Sequence, residues 1–155
     1  MRFYTTNAGY KNFNRALRGE IQMTDEFLAQ EQLMNQALDK LPNYKSDDLL
    51  YRIENLTDSQ INNYYKVGDE ITNKHFTSST YDYNSLRDAI LKRPFTTIIR
   101  IKNKNGKLVQ KISTLEEEKE ILFKSNSIFK VEKIGNTQDP NDWMKLVREI
   151  ILTEI

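Results

Sequence analysis

The chain has 155 residues, with 23 Lys and Arg against 22 Asp and Glu for a formal charge of +1, and 38% of its residues are hydrophobic. This is enough for one domain, 1–155, with a real core, and the interspersed, balanced charge lacks the electrostatic footprint of a nucleic-acid binder. With no cysteine and a single histidine, His75, disulfides, thiol catalysis and thiolate or multi-histidine metal sites drop out, so any chemistry falls to Arg, Ser, Glu and Tyr.

The N-terminal segment Met1–Asn7 has no apolar core of a secretory signal, and no stretch approaches the ~20 apolar residues that cross a bilayer. The expectation is action in the cytoplasm of a producing or target cell, without a membrane partner. Tyr10, Phe13, Ala16 and Leu17 then recur at helical spacing, with Gly19 as the stop. A second helix starts at Thr24 or Asp25, with Phe27, Leu33, Met34, Ala37, Leu38 and Leu41 on its buried side, and Pro42 marks its end. Leu49–Ile53 is a short apolar run with one embedded guanidinium, Arg52, and predicts a strand. Thr57-Asp58-Ser59-Gln60 has the form of a capping box and predicts a brief helix over 58–65.

From His75 onward the pattern changes to strands. Phe76–Thr80 is β-branched and rich in hydroxyls. A helix is expected over 84–92, after which Pro94 breaks the chain before a strand at Thr97–Ile101. Asn105-Gly106 is a strong hairpin signal and predicts Leu108–Ile112 as the return strand. An acidic loop leads into a strand over Glu118–Phe123, and Ile128–Ile134 is another strand candidate. The C-terminus is ambiguous: Trp143, Leu146, Val147, Ile150 and Ile151 fit a helix, while Val147, Ile151 and Ile155 share a face at strand period. Helices first and strands later predict an α+β architecture.

Three places carry candidate chemistry. Arg52 is suited to bidentate recognition of a phosphate or carboxylate, though a strand arginine also commonly covers a sheet edge with its stem. A strand-borne serine in Phe76-Thr77-Ser78-Ser79-Thr80 can fix the rotamer of a carboxylate, though such hydroxyls are often satisfied edge residues. In Glu118-Lys119-Glu120-Ile121-Leu122-Phe123 the two carboxylates share one face of an extended strand, where each disfavours ionisation of the other. Taken alone, this last run is more simply a solvated acidic turn with Glu116 and Glu117.

In this order the three elements resemble the mono-ADP-ribosyltransferase family of the R-S-E type, which includes bacterial binary actin-modifying toxins, exoenzymes and phage-encoded transferases. Tyr51-Arg52 is similar to the family's aromatic-Arg element, Phe76–Asp82 to its F-x-S-T-S element, and Glu118–Phe123 to its E-x-E-(I/V)-L-F element. Tyr10–Gly19 is similar to the toxins' front helix, so the resemblance covers nearly the whole chain. Ser79-Thr80 replaces the family's Thr-Ser, and Ile53 replaces a common Gly.

The resemblance implies the ADP-ribosyltransferase fold: N-terminal helices packed on two facing mixed or antiparallel β-sheets that form an NAD cleft, with a final strand near 147–155. It implies transfer of ADP-ribose from NAD+ to arginine side chains of a target protein, releasing nicotinamide and needing no metal. Arg52 would pair with the NAD phosphates, Ile53 would bind the nicotinamide amide through its backbone, and Ser78 would orient Glu120. Glu120 would stabilise the oxocarbenium-like ribose, and Glu118 would align and deprotonate the arginine nucleophile. Asn14 and Arg93 are further candidates for contacts to NAD. Two alternatives are an NAD glycohydrolase and a non-catalytic interaction module that keeps the fold. The acceptor, and a phage, toxin or effector origin, have no readable signal.

Overall fold

The computed structural model describes residues 7–109 and 119–155. The described elements are, in chain order, α1 (Asn7–Leu17), α2 (Asp25–Asp39), β1 (Leu50–Glu54), α3 (Asp58–Tyr64), β2 (Glu70–Asn73), β3 (Thr77–Thr80) and α4 (Tyr83–Lys92), then β4 (Thr97–Lys102), β5 (Lys107–Val109), β6 (Glu120–Phe123), β7 (Ser127–Asp139) and β8 (Asp142–Glu154). The architecture is α+β. Helix starts are set by short polar side chains that take up otherwise orphaned N–H groups. Thr24 accepts from Phe27 N at the head of α2 and Asp82 accepts from Ser85 N at the head of α4. Thr57 and Gln60 form a reciprocal capping box at α3. After α1, Gly19 takes φ +81°, a left-handed conformation that glycine adopts without steric cost.

The strands hydrogen-bond in the order β2-β7-β8-β4-β1-β3-β6-β5. All neighbours are antiparallel except β4 and β8, which run parallel. The sheet nearly divides in the middle, because β1 and β3 are joined by a single residue pair, Tyr51 with Thr80. The two halves then fold over one another. Phe123 of β6 and Phe129 of β7 lie in opposite halves, yet their rings meet edge to face at 5.3 Å. The core between the halves holds Leu50, Ile99, Ile101, Ile121, Phe129, Val131, Ile150 and Leu152, with Ile61 and Tyr65 from α3 and its C-cap. This is the facing-sheet arrangement expected of the ADP-ribosyltransferase fold.

The other face of the sheet is covered by helices in two separate places. Phe13 and Leu17 of α1 and Met34 and Leu38 of α2 pack on Phe76, Val109 and Leu122. Leu86 and Ile90 of α4 pack on Ile53, Ile98 and Val147. In strand order the junction of β1 and β3 lies between these two covers.

Two expectations are corrected, the hairpin and the buried stripe of α2. The hairpin around Asn105-Gly106 does not form: β4 is already flanked by β1 and β8, so the chain crosses over and β5 pairs with β6. The N–H groups of Lys104 and Asn105 are taken by Glu154 Oε1 instead, and that of Gly106 by Asn103 Oδ1. Of the two periods open at the C-terminus the strand forms, as the resemblance implied: β8 has both edges occupied, by β4 and β7. Leu33 and Ala37 are exposed, because the buried stripe of α2 is the narrower Met34–Leu38 row. β2 carries too little apolar character to read as a strand, and its pairing partner β7 is remote in sequence.

Candidate active site

The split in the sheet assembles the three sequence-derived positions. Arg52 and Leu50 face the inter-sheet core, and Tyr51 faces the helix-covered side. The β1–β3 ladder stops after the Tyr51–Thr80 pair, so the carbonyl of Ser78 is left without a strand partner from β1. The guanidinium of Arg52 reaches into this gap and donates from Nη1 to Ser78 O at 2.9 Å. Its Nε donates to Glu54 Oε1, also at 2.9 Å. Glu54 was not singled out in the sequence, although strand period already places it two residues on, on the same face as Arg52.

Ser78 points the other way, and its hydroxyl donates to the carboxylate of Glu120. One residue thus links both charged groups, holding Arg52 through its backbone and Glu120 through its side chain. The neighbouring hydroxyls serve the same strand pair. Ser79 donates to Ile121 O at 2.9 Å and Thr80 to Lys119 O at 2.7 Å. These bonds add to the β3–β6 ladder and fix the backbone on both sides of Glu120. Lys119 further pairs with Asp82 at 3.6 Å, and the bond from Ser85 holds the Asp82 carboxyl below its ordinary range. The hydroxyl-rich run therefore positions one carboxylate.

Register extends the site sideways. Arg100 pairs with Tyr51, Tyr51 with Thr80, and Thr80 with Glu120, so these four side chains form a row on the helix-covered face. The row spans the junction of β1 and β3. The Arg100 guanidinium lies 4.7 Å from the centroid of the Tyr51 ring, a cation–π contact, and its buried Nε has no hydrogen-bond partner among the described residues. Tyr83, at the start of α4, meets Tyr51 edge to face at 5.9 Å. Asn14 of α1 is only 3% exposed, and its Oδ1 also lacks a hydrogen-bond partner among the described residues. Ile53 is buried beneath α4, its side chain absorbed into the packing. Arg93 is exposed at the C-cap of α4. Glu118 lies outside the described residues.

On the opposite side of Arg52 opens a cavity of about 460 Å³ whose wall includes Arg18, Arg52, Glu54, Tyr64, Tyr65 and His75. Neither Ser78 nor Glu120 lines it, because both side chains stand on the other face of the sheet. A ligand that meets both Arg52 and Glu120 is therefore held across the split rather than within the cavity. Burial, then the positive charges of Arg52 and Arg18, pull the pKa of His75 down to about 4, leaving it neutral near pH 7. Burial, reinforced by the negative charge of Glu54, pushes the Tyr65 hydroxyl up. Among the described residues no group of three or more His, Cys, Asp or Glu is placed to hold a metal.

The family model of the ADP-ribosyltransferase exoenzymes matches residues 1–154. The chain belongs to this family. As a member, it is 31% identical over 146 residues to Mav of Mycobacterium avium (strain 104), whose assignment as an NAD(+)–arginine ADP-ribosyltransferase is itself provisional. It is 30% identical over 149 residues to Tre1 of Serratia proteamaculans (strain 568), an NAD(+)–protein-arginine ADP-ribosyltransferase. These matches cover 94% and 95% of the chain but only 17% and 30% of the relatives, so the chain spans less than a third of either. In fold, the chain superposes on the Salmonella SpvB ATR domain with a TM-score of 0.74 at 20% identity, covering 99% of this chain and 96% of that one.

Proposed function

We propose that this chain transfers ADP-ribose from NAD+ to arginine side chains of a target protein and releases nicotinamide. The observation that carries the reading is the link through Ser78, which connects a guanidinium suited to phosphate with a carboxylate locked on a rigid strand pair. Family membership and the arginine specificity in the names of Mav and Tre1 support it.

In this reading NAD+ lies across the split between β1 and β3. Its phosphates meet Arg52, with Asn14 and Arg93 at the flanks and the backbone of Ile53 on the nicotinamide amide. The bond between ribose C1′ and the nicotinamide nitrogen breaks, and nicotinamide leaves neutral with the bonding electrons. Positive charge develops on the ribose, where the preorganised Glu120 carboxylate stabilises it. A nitrogen of the acceptor guanidinium then bonds to C1′, and the proton it gives up goes to Glu118. No metal enters any of these steps.

Incubation with NAD+ and either agmatine or lysate proteins tests the reading. It expects nicotinamide release matched by ADP-ribosylated guanidine; release without any modified guanidine overturns transfer in favour of hydrolysis, and no release with no NAD+ binding leaves an interaction module. Glu118→Gln should abolish transfer to arginine while sparing much of the hydrolysis, because water attacks the ribosyl cation through a free lone pair, whereas a protonated guanidinium must give up a proton to become a nucleophile. Equal loss of both activities would remove Glu118 from the acceptor side.

A further inference from the structure

Glu54 lies two residues beyond Arg52 on the same face of β1, with Cα atoms ~6.5 Å apart at the rise of a strand. Arg52 Nε donates to Glu54 Oε1 at 2.9 Å, and the two side chains are largely buried, at 19% and 25% exposed. An ion pair between neighbours on one strand joins no two elements, so it does little to hold the fold together. β1 is already fixed beside it. Arg52 pairs with Ile99 and Glu54 with Thr97 in the ladder to β4, and Thr96 N donates to Glu54 O at 3.1 Å. What the Glu54 carboxylate acts on is the conformation of the Arg52 side chain.

An arginine side chain is long and has many rotamers to lose. The bond from Nη1 to Ser78 O at 2.9 Å tethers the guanidinium across the gap between β1 and β3. One such tether lets a planar group swing about it. A second bond, made through Nε, removes the swing, because two fixed acceptors define the plane of the fork. Both acceptors stand on strands: Glu54 on β1, and Ser78 on β3, which is paired with β6 from Thr77 to Thr80. The guanidinium is therefore oriented before a ligand arrives, and a phosphate is spared the cost of ordering it. The charge of Glu54 works in the opposite direction, since a carboxylate beside the guanidinium repels an approaching phosphate. Glutamine separates the two effects: it keeps an Oε1 acceptor and loses the charge.

We propose that Glu54 is a positioning residue for NAD+ binding, acting through Arg52 to set the guanidinium in the orientation that receives the pyrophosphate. This rests on the transferase reading above, and one arm of the test needs no NAD+. In 1H–15N spectra of the arginine side chains, the Arg52 Nε–H signal is assigned by its loss in Arg52→Lys. That proton should exchange slowly with water in wild type and in Glu54→Gln, and about tenfold faster or more in Glu54→Ala, where its acceptor is gone. By titration calorimetry, NAD+ binding should weaken about tenfold in Glu54→Ala and stay within about threefold of wild type in Glu54→Gln. With agmatine as acceptor, kcat should stay within about threefold in both variants while KM for NAD+ follows the binding. Added to Arg52→Lys, Glu54→Ala should weaken binding by less than about twofold further, because a residue that acts through Arg52 then has nothing to act on. The melting temperature should hold within a few degrees, since the pair joins no two elements. Unchanged Nε–H exchange in Glu54→Ala overturns the positioning role, as do full additivity of the two substitutions and equal losses in the Gln and Ala variants. Tighter NAD+ binding in Glu54→Ala would make Glu54 a competitor of the phosphate and overturns it too. If wild type binds no NAD+, the transferase reading fails, and the exchange arm still decides whether Glu54 orients Arg52.

Discussion

Replacing Ser78 by alanine separates the two jobs that this residue performs. Its hydroxyl donates to the Glu120 carboxylate, while its backbone carbonyl accepts from Arg52. Alanine removes the first bond and keeps the second. A hydrogen bond to a charged group contributes about 1.5–3 kcal/mol. Losing it only from the charge-stabilising step corresponds to roughly a 10- to 150-fold fall in kcat at 1.36 kcal/mol per decade. KM for NAD+ should stay within about twofold, because the Arg52 guanidinium, proposed to hold the phosphates, keeps its anchor on the Ser78 carbonyl. Stability should change by no more than about 1–2 kcal/mol, since Ser79 and Thr80 still tie β3 to β6. The assay is steady-state release of nicotinamide with agmatine as acceptor, run beside a urea titration. A rise in KM with kcat unchanged would show that Ser78 serves the ligand rather than Glu120, and the argument would fail.

Three further outcomes follow from particular contacts. Arg52→Lys cannot bond to Ser78 O and Glu54 together as the fork does, and should weaken NAD+ binding about tenfold by titration calorimetry; equal affinity would take Arg52 out of the phosphate site. His75 has a folded pKa of about 4 against an ordinary 6.5, so between these values the unfolded chain binds more protons and stability rises with pH. Its contribution is complete above about pH 6.5 and is lost as pH falls through 4, at most about 3 kcal/mol. His75→Gln should therefore flatten the fall in urea midpoint between pH 7 and 4.5, and an identical fall in both proteins would contradict the assignment. Gly106→Ala would place a Cβ 2.5 Å from Asn103 Oδ1 and 2.6 Å from Ile121 Cγ2. Asn103 is held by bonds to Tyr44 O and Gly106 N, so the overpacking should cost about 1–3 kcal/mol in the urea titration; an unchanged midpoint would mean that the turn relaxes freely.

Signals carried within a few residues were legible in the sequence. The capping box at Thr57, the N-cap at Thr24 and the stop at Gly19 are local chemistry, and the structure places all three as read. Arg52, Ser78 and Glu120 were recognisable because each sits in a short pattern of residue types. The failures share one cause. Asn105-Gly106 is a hairpin signal only if the flanking strands have free edges, and β8 had already occupied one edge of β4. β8 was ambiguous between two periods until the neighbouring strands supplied its hydrogen bonds. Arg100 became part of the site through cross-strand register, to which local composition is blind.

By itself the sequence determined the first three helices and the strand that carries Arg52, the absence of thiol chemistry, and which side chains could carry charge in a reaction. These depend on backbone preferences and functional groups that each residue brings with it. Only the tertiary structure decided that β1 and β3 part after one residue pair, so that Arg52 can reach a carbonyl otherwise used by a strand. It also decided that Ser78 joins Arg52 to Glu120 from opposite faces. Each is a contact between segments distant in the chain, set by which strand edges remain open once the two halves of the sheet have packed on their shared core.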